Sequence, residues 1–344
     1  MEEVLIIGAG HQGIAMAAHL SLNGVKVNLW NRSEKTIESI KATNKIIVDG
    51  VVQGEGKINK VSTDIEEVLC NLIMVTTPSS AHKDIATMLA KYVNKKYTII
   101  LNPGRTLGAI EFQRQLLNAG CMDLPHIGET QTIVYTCRKI FNNHVRIYAL
   151  KKEVMISVLN GEYAEKIIGI LPKCLQKYFI PVKSWGYTSL GNVGMILHCL
   201  PVLMNVGWIE NKVCDFKYYY DGISPTIAEI LELLDDERIL VGNKLGVELE
   251  STTDWMKRTY DVKGKSLYEC IQNNTYYKEI DAPLSLHHRY IEEDVPCGLV
   301  PLESLAKYYE VDTPITSLII DLANLALKQD FRKIGRKYEI IACK

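Results

Sequence analysis

The sequence predicts an α/β chain, a doubly wound parallel sheet followed by a mostly α-helical domain. Three observations carry that expectation. A short apolar run, Val4-Leu5-Ile6-Ile7, leads into Gly8-Ala9-Gly10-His11-Gln12-Gly13. Strand-like apolar runs then alternate with helical patterns through residue 118. From residue 189 onward long helical patterns dominate, with cap-then-proline starts at Ser224-Pro225 and Thr313-Pro314. The expected division is residues 1–183 for the sheet domain and 184–344 for the helical one.

The first segment is the most informative. Its apolar run reads as a buried parallel strand, residues 14–22 as a helix rich in alanine, Asn23-Gly24 as its stop, and residues 25–30 as a second strand. That is G-x-G-x-x-G in the βαβ setting it requires, the signature of a Rossmann dinucleotide site. Gly8 permits the tight turn, Gly10 lets the backbone approach a pyrophosphate, and Gly13 permits close helix–strand packing. The helix N-terminus offers unpaired N–H groups and a positive dipole end. His11 and Gln12 fill the variable positions of this cofactor loop. At the tip of the second strand stand Asn31-Arg32-Ser33, with no carboxylate before Glu34. An arginine beside a hydroxyl suits a 2′-phosphate, so NADP is the expected cofactor. NAD stays open, with Arg32 solvated and Asn31 alone meeting the ribose.

Further elements follow in order. Residues 34–42 read as a helix. Residues 45–61 read as a hairpin turning at Asp49-Gly50, a type I′ signal. A short helix over 64–69, a strand over 71–76, a helix from Ser79-Ser80 to about 93, a strand over 97–101 and a helix over 106–118 complete the alternation. Two loops at strand C-termini lie where ligands bind in such sheets. Thr76-Thr77-Pro78 is expected to present hydroxyls near the nicotinamide ribose, and Asn102-Pro103-Gly104-Arg105-Thr106 permits close backbone approach. Between 126 and 183 smaller strands are expected, 145–149 and 154–158 among them, with a helix over 162–176. Helices are then expected at 190–209, 225–249, 253–259, 302–309 and 314–327.

Composition narrows the class. The 344 residues are 47% hydrophobic with a formal charge of −1, so nothing points to nucleic acid or an anionic membrane. Nine cysteines without a C-x-x-C pair suit a reducing cytosol better than a disulfide framework or a metal site. No apolar run is expected to reach membrane-spanning length, and a soluble cytoplasmic protein is expected.

Two stretches in the second domain carry chemistry. In Gly191-Asn192-Val193-Gly194-Met195-Ile196-Leu197-His198, helical spacing puts Gly191, Gly194 and His198 on one face, extended by Asn205. Such a face is either a close-approach surface bearing one titratable group or tight packing around a satisfied histidine. The other stretch runs from His287 to Pro301. Arg289 could hold a carboxylate bidentately, and Asp294 could orient a histidine.

Taken together, Gly8-x-Gly10-x-x-Gly13, Leu101-Asn102-Pro103-Gly104, Gly128-Glu129-Thr130-Gln131-Thr132, the Asn192…His198…Pro201 helix and the run His288-Arg289-Tyr290-Ile291-Glu292-Glu293-Asp294-Val295-Pro296-Cys297-Gly298 resemble the octopine/nopaline (opine) dehydrogenase family. The resemblance implies a Rossmann domain joined to a helical domain. It also implies reductive condensation of an amino acid amine with an α-keto acid such as pyruvate, with NADH or NADPH as donor. Carried over by motif, His198 is the acid–base residue, Asp294 its partner and Arg289 a carboxylate ligand. Gln131 and Thr132 border the substrate pocket. Residues 211–283 match no motif and are expected to shape the amine pocket. A homodimer is compatible with the chain and specified by no motif.

Two other readings stay open. A ketopantoate reductase or glycerol-3-phosphate dehydrogenase type would need a lysine base on the helical domain, Lys212 or Lys244. A non-catalytic NADP sensor would bind cofactor without turnover.

Overall fold

The computed structural model describes residues 2–160, 163–211 and 215–339. The chain forms two compact units, Met1–Ser189 and Leu190–Lys344.

In the first unit the strands are β1 (Glu3–Ile7), β2 (Lys26–Trp30), β3 (Lys45–Gly50), β4 (Gly54–Lys57), β5 (Lys60–Ser62), β6 (Leu72–Val75), β7 (Thr98–Leu101), β8 (His126–Thr130), β9 (Tyr135–Phe141), β10 (His144–Leu150), β11 (Val154–Val158) and β12 (Phe179–Pro181). Eight of them build one sheet in the order β12-β11-β8-β7-β6-β1-β2-β5. From β5 to β8 every pairing is parallel, while β11 runs antiparallel to β8. The order reverses between β1 and β6, which makes the loops after those two strands the ligand crevice of a doubly wound sheet. Alternation explains why the strands are continuously apolar. Val4 and Ile6 enter one core, Leu5 and Ile7 the other, and all four are fully buried.

The hairpin of residues 45–61 departs from expectation. Asp49 and Gly50 stay inside β3, the chain turns at residues 51–53, and the register pairs Val48 with Gly54. A second sheet absorbs it, ordered β4-β3-β10-β9 and packed beside the helix His11–Leu22. Asp49 is held there by Arg146 at 2.5 Å and His144 at 2.8 Å, which pull its carboxyl below the usual range. The strand β9 has no counterpart among the elements expected from the sequence.

The helix expected over 162–176 is two pieces, Ala164–Ile170 and Lys173–Gln176, interrupted at Leu171-Pro172 because proline cannot supply the N–H the helix needs. Its expected start, residue 162, lies outside the described residues. The single helix expected over 190–209 is likewise three pieces: Trp185–Leu190, Gly194–Met204 and Val206–Asn211. The stretch Trp185–Met204 is long and apolar enough to cross a membrane, contrary to the sequence expectation, and 78% of its most apolar 18-residue window is buried inside the protein.

The second unit packs around the helix Pro225–Leu245. Ser224 caps its start by accepting from the Ile227 N–H at 3.3 Å, and Gly246 ends it with φ 79°. The cap of the helix Pro314–Leu327 comes from elsewhere. Thr313 makes no side-chain cap bond, and Glu237 accepts from the N–H groups of Ile315 at 2.7 Å and Thr316 at 2.8 Å. Arg238 is buried and donates to Asp235, to the Leu190 carbonyl and to the Glu250 carbonyl, all within 2.9 Å. A buried guanidinium is tolerable only when so fully satisfied.

Candidate active site

In the first unit the three glycines of the loop divide the work. Gly8 has φ 108°, a region closed to most side chains. A Cβ on Gly13 would lie 1.7 Å from the Gly8 carbonyl oxygen, so only glycine lets the helix start there. Gly10 differs, because a Cβ there would meet nothing within 4 Å. The protein itself does not need that glycine. Open space before a helix N-terminus with no acid in its first turn is a cradle that fits a pyrophosphate.

Several residues expected at the cofactor brace this loop. The Asn31 carboxamide oxygen accepts from the Ala9 N–H at 3.0 Å, and its amide donates to the Ser33 carbonyl at 3.0 Å. The Thr76 hydroxyl is buried and donates to the carbonyls of Ile7 at 3.0 Å and Gly8 at 3.2 Å, bolting β6 to the turn. Thr77 lays its methyl against Gly8, and Pro78 is exposed at the entrance of the short helical turn Ser79–Ala81. Gln12 donates to the Tyr135 carbonyl at 3.1 Å, and the His11 Nδ1 accepts from the Lys139 N–H at 2.9 Å. Arg32 projects into solvent, its side chain 83% exposed, with Asp84 at 3.8 Å. Glu34, the first carboxylate past the strand tip, pairs with Lys41 at 2.9 Å.

Farther along the sheet edge, Glu129 is buried and accepts from the Ala109 N–H at 2.8 Å, Thr188 at 2.8 Å and Ser189 at 2.7 Å. A Cβ on Gly104 would fall 2.3 Å from that carboxylate. The Asn102-Pro103-Gly104 and Gly128-Glu129-Thr130 motifs therefore interlock. Gln131 is buried, and Thr132 accepts from Lys151 at 3.2 Å. Burial, aided by the Arg105 charge, lowers the Lys151 ammonium from 10.5 to about 8. Lys139 and Lys151 were missed by sequence reasoning. The one available signal for Lys139 was period-two spacing in Tyr135-Thr136-Cys137-Arg138-Lys139, which places Cys137 and Lys139 on one strand face.

In the second unit, His198 Nδ1 lies 2.7 Å from Asp294 Oδ2, across 96 residues of sequence. The Asp294 carboxylate has no solvent exposure and the His198 ring 12%. A carboxylate accepts only, so the shared proton resides on Nδ1 and acid–base chemistry falls to Nε2. Tyr290 stacks on the His198 ring at 4.0 Å and 17°, and the Tyr218 hydroxyl donates to the His198 carbonyl at 2.6 Å. Two local features bring Asp294 to the helix Gly194–Met204. The turn Val295–Leu299 is a π-helix, a form common at functional sites, and a Cβ on Gly298 would stand 2.6 Å from the Met195 Cβ.

Arg289 is exposed at the start of the helix Arg289–Glu292, its guanidinium 5.8 Å from the Tyr290 ring, and it forms no ion pair among the described residues. His288 caps that helix through the Tyr290 N–H and is held below its ordinary value by burial and the Arg289 charge. Tyr218, Tyr219, Tyr260 and Tyr277, all from the segment without a motif, form an aromatic cluster reaching Tyr290. Asn205 donates to the carbonyls of Pro201 and Gly222, which is capping rather than chemistry. Of the two alternative lysine bases, Lys244 is exposed and Lys212 lies outside the described residues.

Comparison with known proteins agrees with both halves. Residues 3–107 match the model for the N-terminus of NAD-dependent glycerol-3-phosphate dehydrogenase. Residues 181–327 match the model for the α-helical domain of NAD/NADP octopine/nopaline dehydrogenase. Octopine dehydrogenase solved with NADH and L-arginine has a TM-score of 0.79 at 18% identity, covering 95% of this chain and 90% of that one. Yersinopine dehydrogenase with NADP+ bound has a TM-score of 0.79 at 16% identity, covering 98% and 93%. At such identities these structures speak for the fold. The opine dehydrogenase of Arthrobacter sp. (strain 1C) is 33% identical over 341 residues, 97% of this chain and 93% of that protein. On that match the chain belongs to the octopine/nopaline (opine) dehydrogenase family of NAD(P)-dependent oxidoreductases.

Proposed function

We propose that this enzyme reduces the imine formed from an amino acid and an α-keto acid such as pyruvate, with NADPH as preferred donor. Residues 1–183 are assigned to the cofactor and 184–344 to substrate and catalysis. The observation that carries the catalytic assignment is the buried His198–Asp294 pair at 2.7 Å.

The bound nicotinamide supplies the hydride. The chain's own residues do the rest. His198 Nε2 donates a proton to the oxygen leaving as water during imine formation and takes one back, while Asp294 holds the tautomer and balances the imidazolium. Tyr290, stacked on the ring, keeps the imidazole from turning. Arg289, exposed and without an internal ion pair among the described residues, holds a substrate carboxylate, an orientation effect. Gln131 and Thr132 are assigned to the border of the substrate pocket.

NADPH is favoured over NADH by what stands at the tip of β2. Asn31 is engaged with Ala9, Glu34 with Lys41, and Arg32 is open to an anion. The β2 tip itself carries no carboxylate to hold a ribose 2′-hydroxyl, and the nearby Asp84 carboxylate, 3.8 Å from Arg32, is exposed and paired with that arginine.

The test follows absorbance at 340 nm with pyruvate and each common amino acid in turn, NADPH against NADH. Amine-dependent oxidation, faster with NADPH, with a product whose mass equals amine plus keto acid less one oxygen, is the expected result. Oxidation with keto acid alone identifies a simple oxoacid reductase and removes the proposal.

A further inference from the structure

The strand β9 runs along the glycine loop and is fastened to it repeatedly. Gln12 donates to the Tyr135 carbonyl at 3.1 Å, the Cys137 thiol meets the His11 carbonyl at 3.3 Å, and the Lys139 N–H donates to His11 Nδ1 at 2.9 Å. One residue of this strand carries a charge to the loop itself. Lys139 Nζ lies 3.5 Å from the Ala9 carbonyl and 3.3 Å from the Asn142 amide oxygen. Asn142 in turn donates to the Lys35 carbonyl at 3.2 Å, at the start of the helix that follows the β2 tip.

Both partners of the Lys139 ammonium are neutral oxygens, and it forms no ion pair among the described residues. It is half-buried, and burial lowers its pKa from the ordinary 10.5. Its neighbours deepen the imbalance. The helix His11–Leu22 begins beside it with no acid in its first turn, so a dipole's positive end and an ammonium face one region. The charged residues of the adjoining β2 tip and the helix after it are Arg32, exposed and 3.8 Å from Asp84, Glu34, paired with Lys41, and Lys35, whose carbonyl accepts from Asn142. A half-buried cation costs free energy unless an anion completes it, and Gly10 leaves room for one.

Resting on the cofactor reading above, we propose that Lys139, contributed by the second sheet, binds a phosphate of the dinucleotide and sets affinity for it. Two phosphates share this chemistry, the pyrophosphate and the 2′-phosphate. They are separated by fragments. ADP-ribose carries the first alone, and 2′-phospho-ADP-ribose carries both.

The experiment is calorimetric titration of the full chain with each fragment, on wild type, Lys139→Gln and Lys139→Arg. Glutamine can keep a hydrogen bond to the Ala9 carbonyl while removing the charge, and the thermal midpoint reports whether the fold survives. Removing a charge-assisted hydrogen bond to phosphate is expected to weaken affinity about tenfold or more in Lys139→Gln, with recovery in Lys139→Arg. Weakening of both fragments assigns the pyrophosphate; weakening confined to 2′-phospho-ADP-ribose assigns the 2′-phosphate, and either supports the proposal. Wild-type affinity in Lys139→Gln overturns it while leaving the cofactor reading intact. Should wild type bind neither fragment, the cofactor reading falls and this proposal with it.

Discussion

His198 commits one ring nitrogen to a buried carboxylate, and that commitment makes the pair separable by mutation. Positioned acid–base groups contribute about 100- to 10,000-fold, so His198→Ala is expected to lose that much turnover. Cofactor affinity, measured by fluorescence titration of NADPH, is expected to stay at wild-type level, because the residues of the glycine loop belong to the other unit. Asp294→Asn is the sharper variant. An amide can donate to Nδ1 and so favour the wrong tautomer, and it no longer balances the imidazolium that must donate from Nε2. Turnover is expected to fall while the thermal midpoint changes less than in Asp294→Ala, which would leave His198 without its partner. If Asp294→Asn retains wild-type turnover, the aspartate packs the segment and does no more.

At the scale of elements, the glycine loop makes two substitutions of equal size behave differently. Ala at position 13 drives a Cβ to 1.7 Å from the Gly8 carbonyl, so the helix His11–Leu22 must shift from β1. Gly13→Ala is expected to lower the thermal midpoint and abolish NADPH binding. Ala at position 10 meets nothing within 4 Å, so Gly10→Ala is expected to melt like wild type and still lose affinity. A Gly10→Ala variant that binds NADPH normally would show that the open space serves no phosphate. This loop was legible in the sequence because its geometry is local: a strand, a turn only glycine permits, and a helix within about twenty residues. The His198–Asp294 pair was not legible from spacing. Its partners stand 96 residues apart, and helical periodicity alone left His198 open between packing and chemistry; only the motif resemblance joined them. The same limit hid Lys139, whose contacts with His11 span 128 residues. It hid the capping of Pro314–Leu327 too, where Thr313 looked sufficient and Glu237 does the work. The long helix expected over 190–209 failed for a related reason, since apolar periodicity continues across breaks at Gly191 and Asn205 that only tertiary packing decides.

For the molecule as a whole, burial of titratable rings limits the pH range of stability from both sides. On the acid side, His19 and His288 are held below 6.5 mainly by burial. As pH falls through that value the unfolded chain takes up protons that the fold refuses, so stability drops. On the alkaline side, burial raises Tyr135, Tyr218, Tyr219 and Tyr277 well above their ordinary 10.0. There the unfolded chain releases protons while the fold keeps them, and stability drops again. Lys151 has the opposite sign. Between about 8 and 10.5 the fold has released a proton the unfolded chain still holds, so this group adds stability as pH rises. Lys139, also lowered by burial, acts in the same sense as Lys151. The four phenols begin to oppose them near pH 10 and go on doing so after the lysines' contribution has levelled off above about 10.5. The thermal midpoint, followed by circular dichroism, is therefore expected to be nearly level from about pH 7 to 9.5, to decline gently below about 6.5, and to fall more steeply above about 10. Lys151→Met should remove that group's contribution between about 8 and 10.5, so that the alkaline decline begins at lower pH, and raise the midpoint near neutrality, since it takes away a desolvated charge. Tyr135→Phe should soften the alkaline fall, at a cost of about 1 kcal/mol at neutral pH for the lost bond to His19. A wild-type midpoint that stays level past about pH 10.5 would mean these hydroxyls ionise within the fold, and that water reaches the buried aromatic cluster.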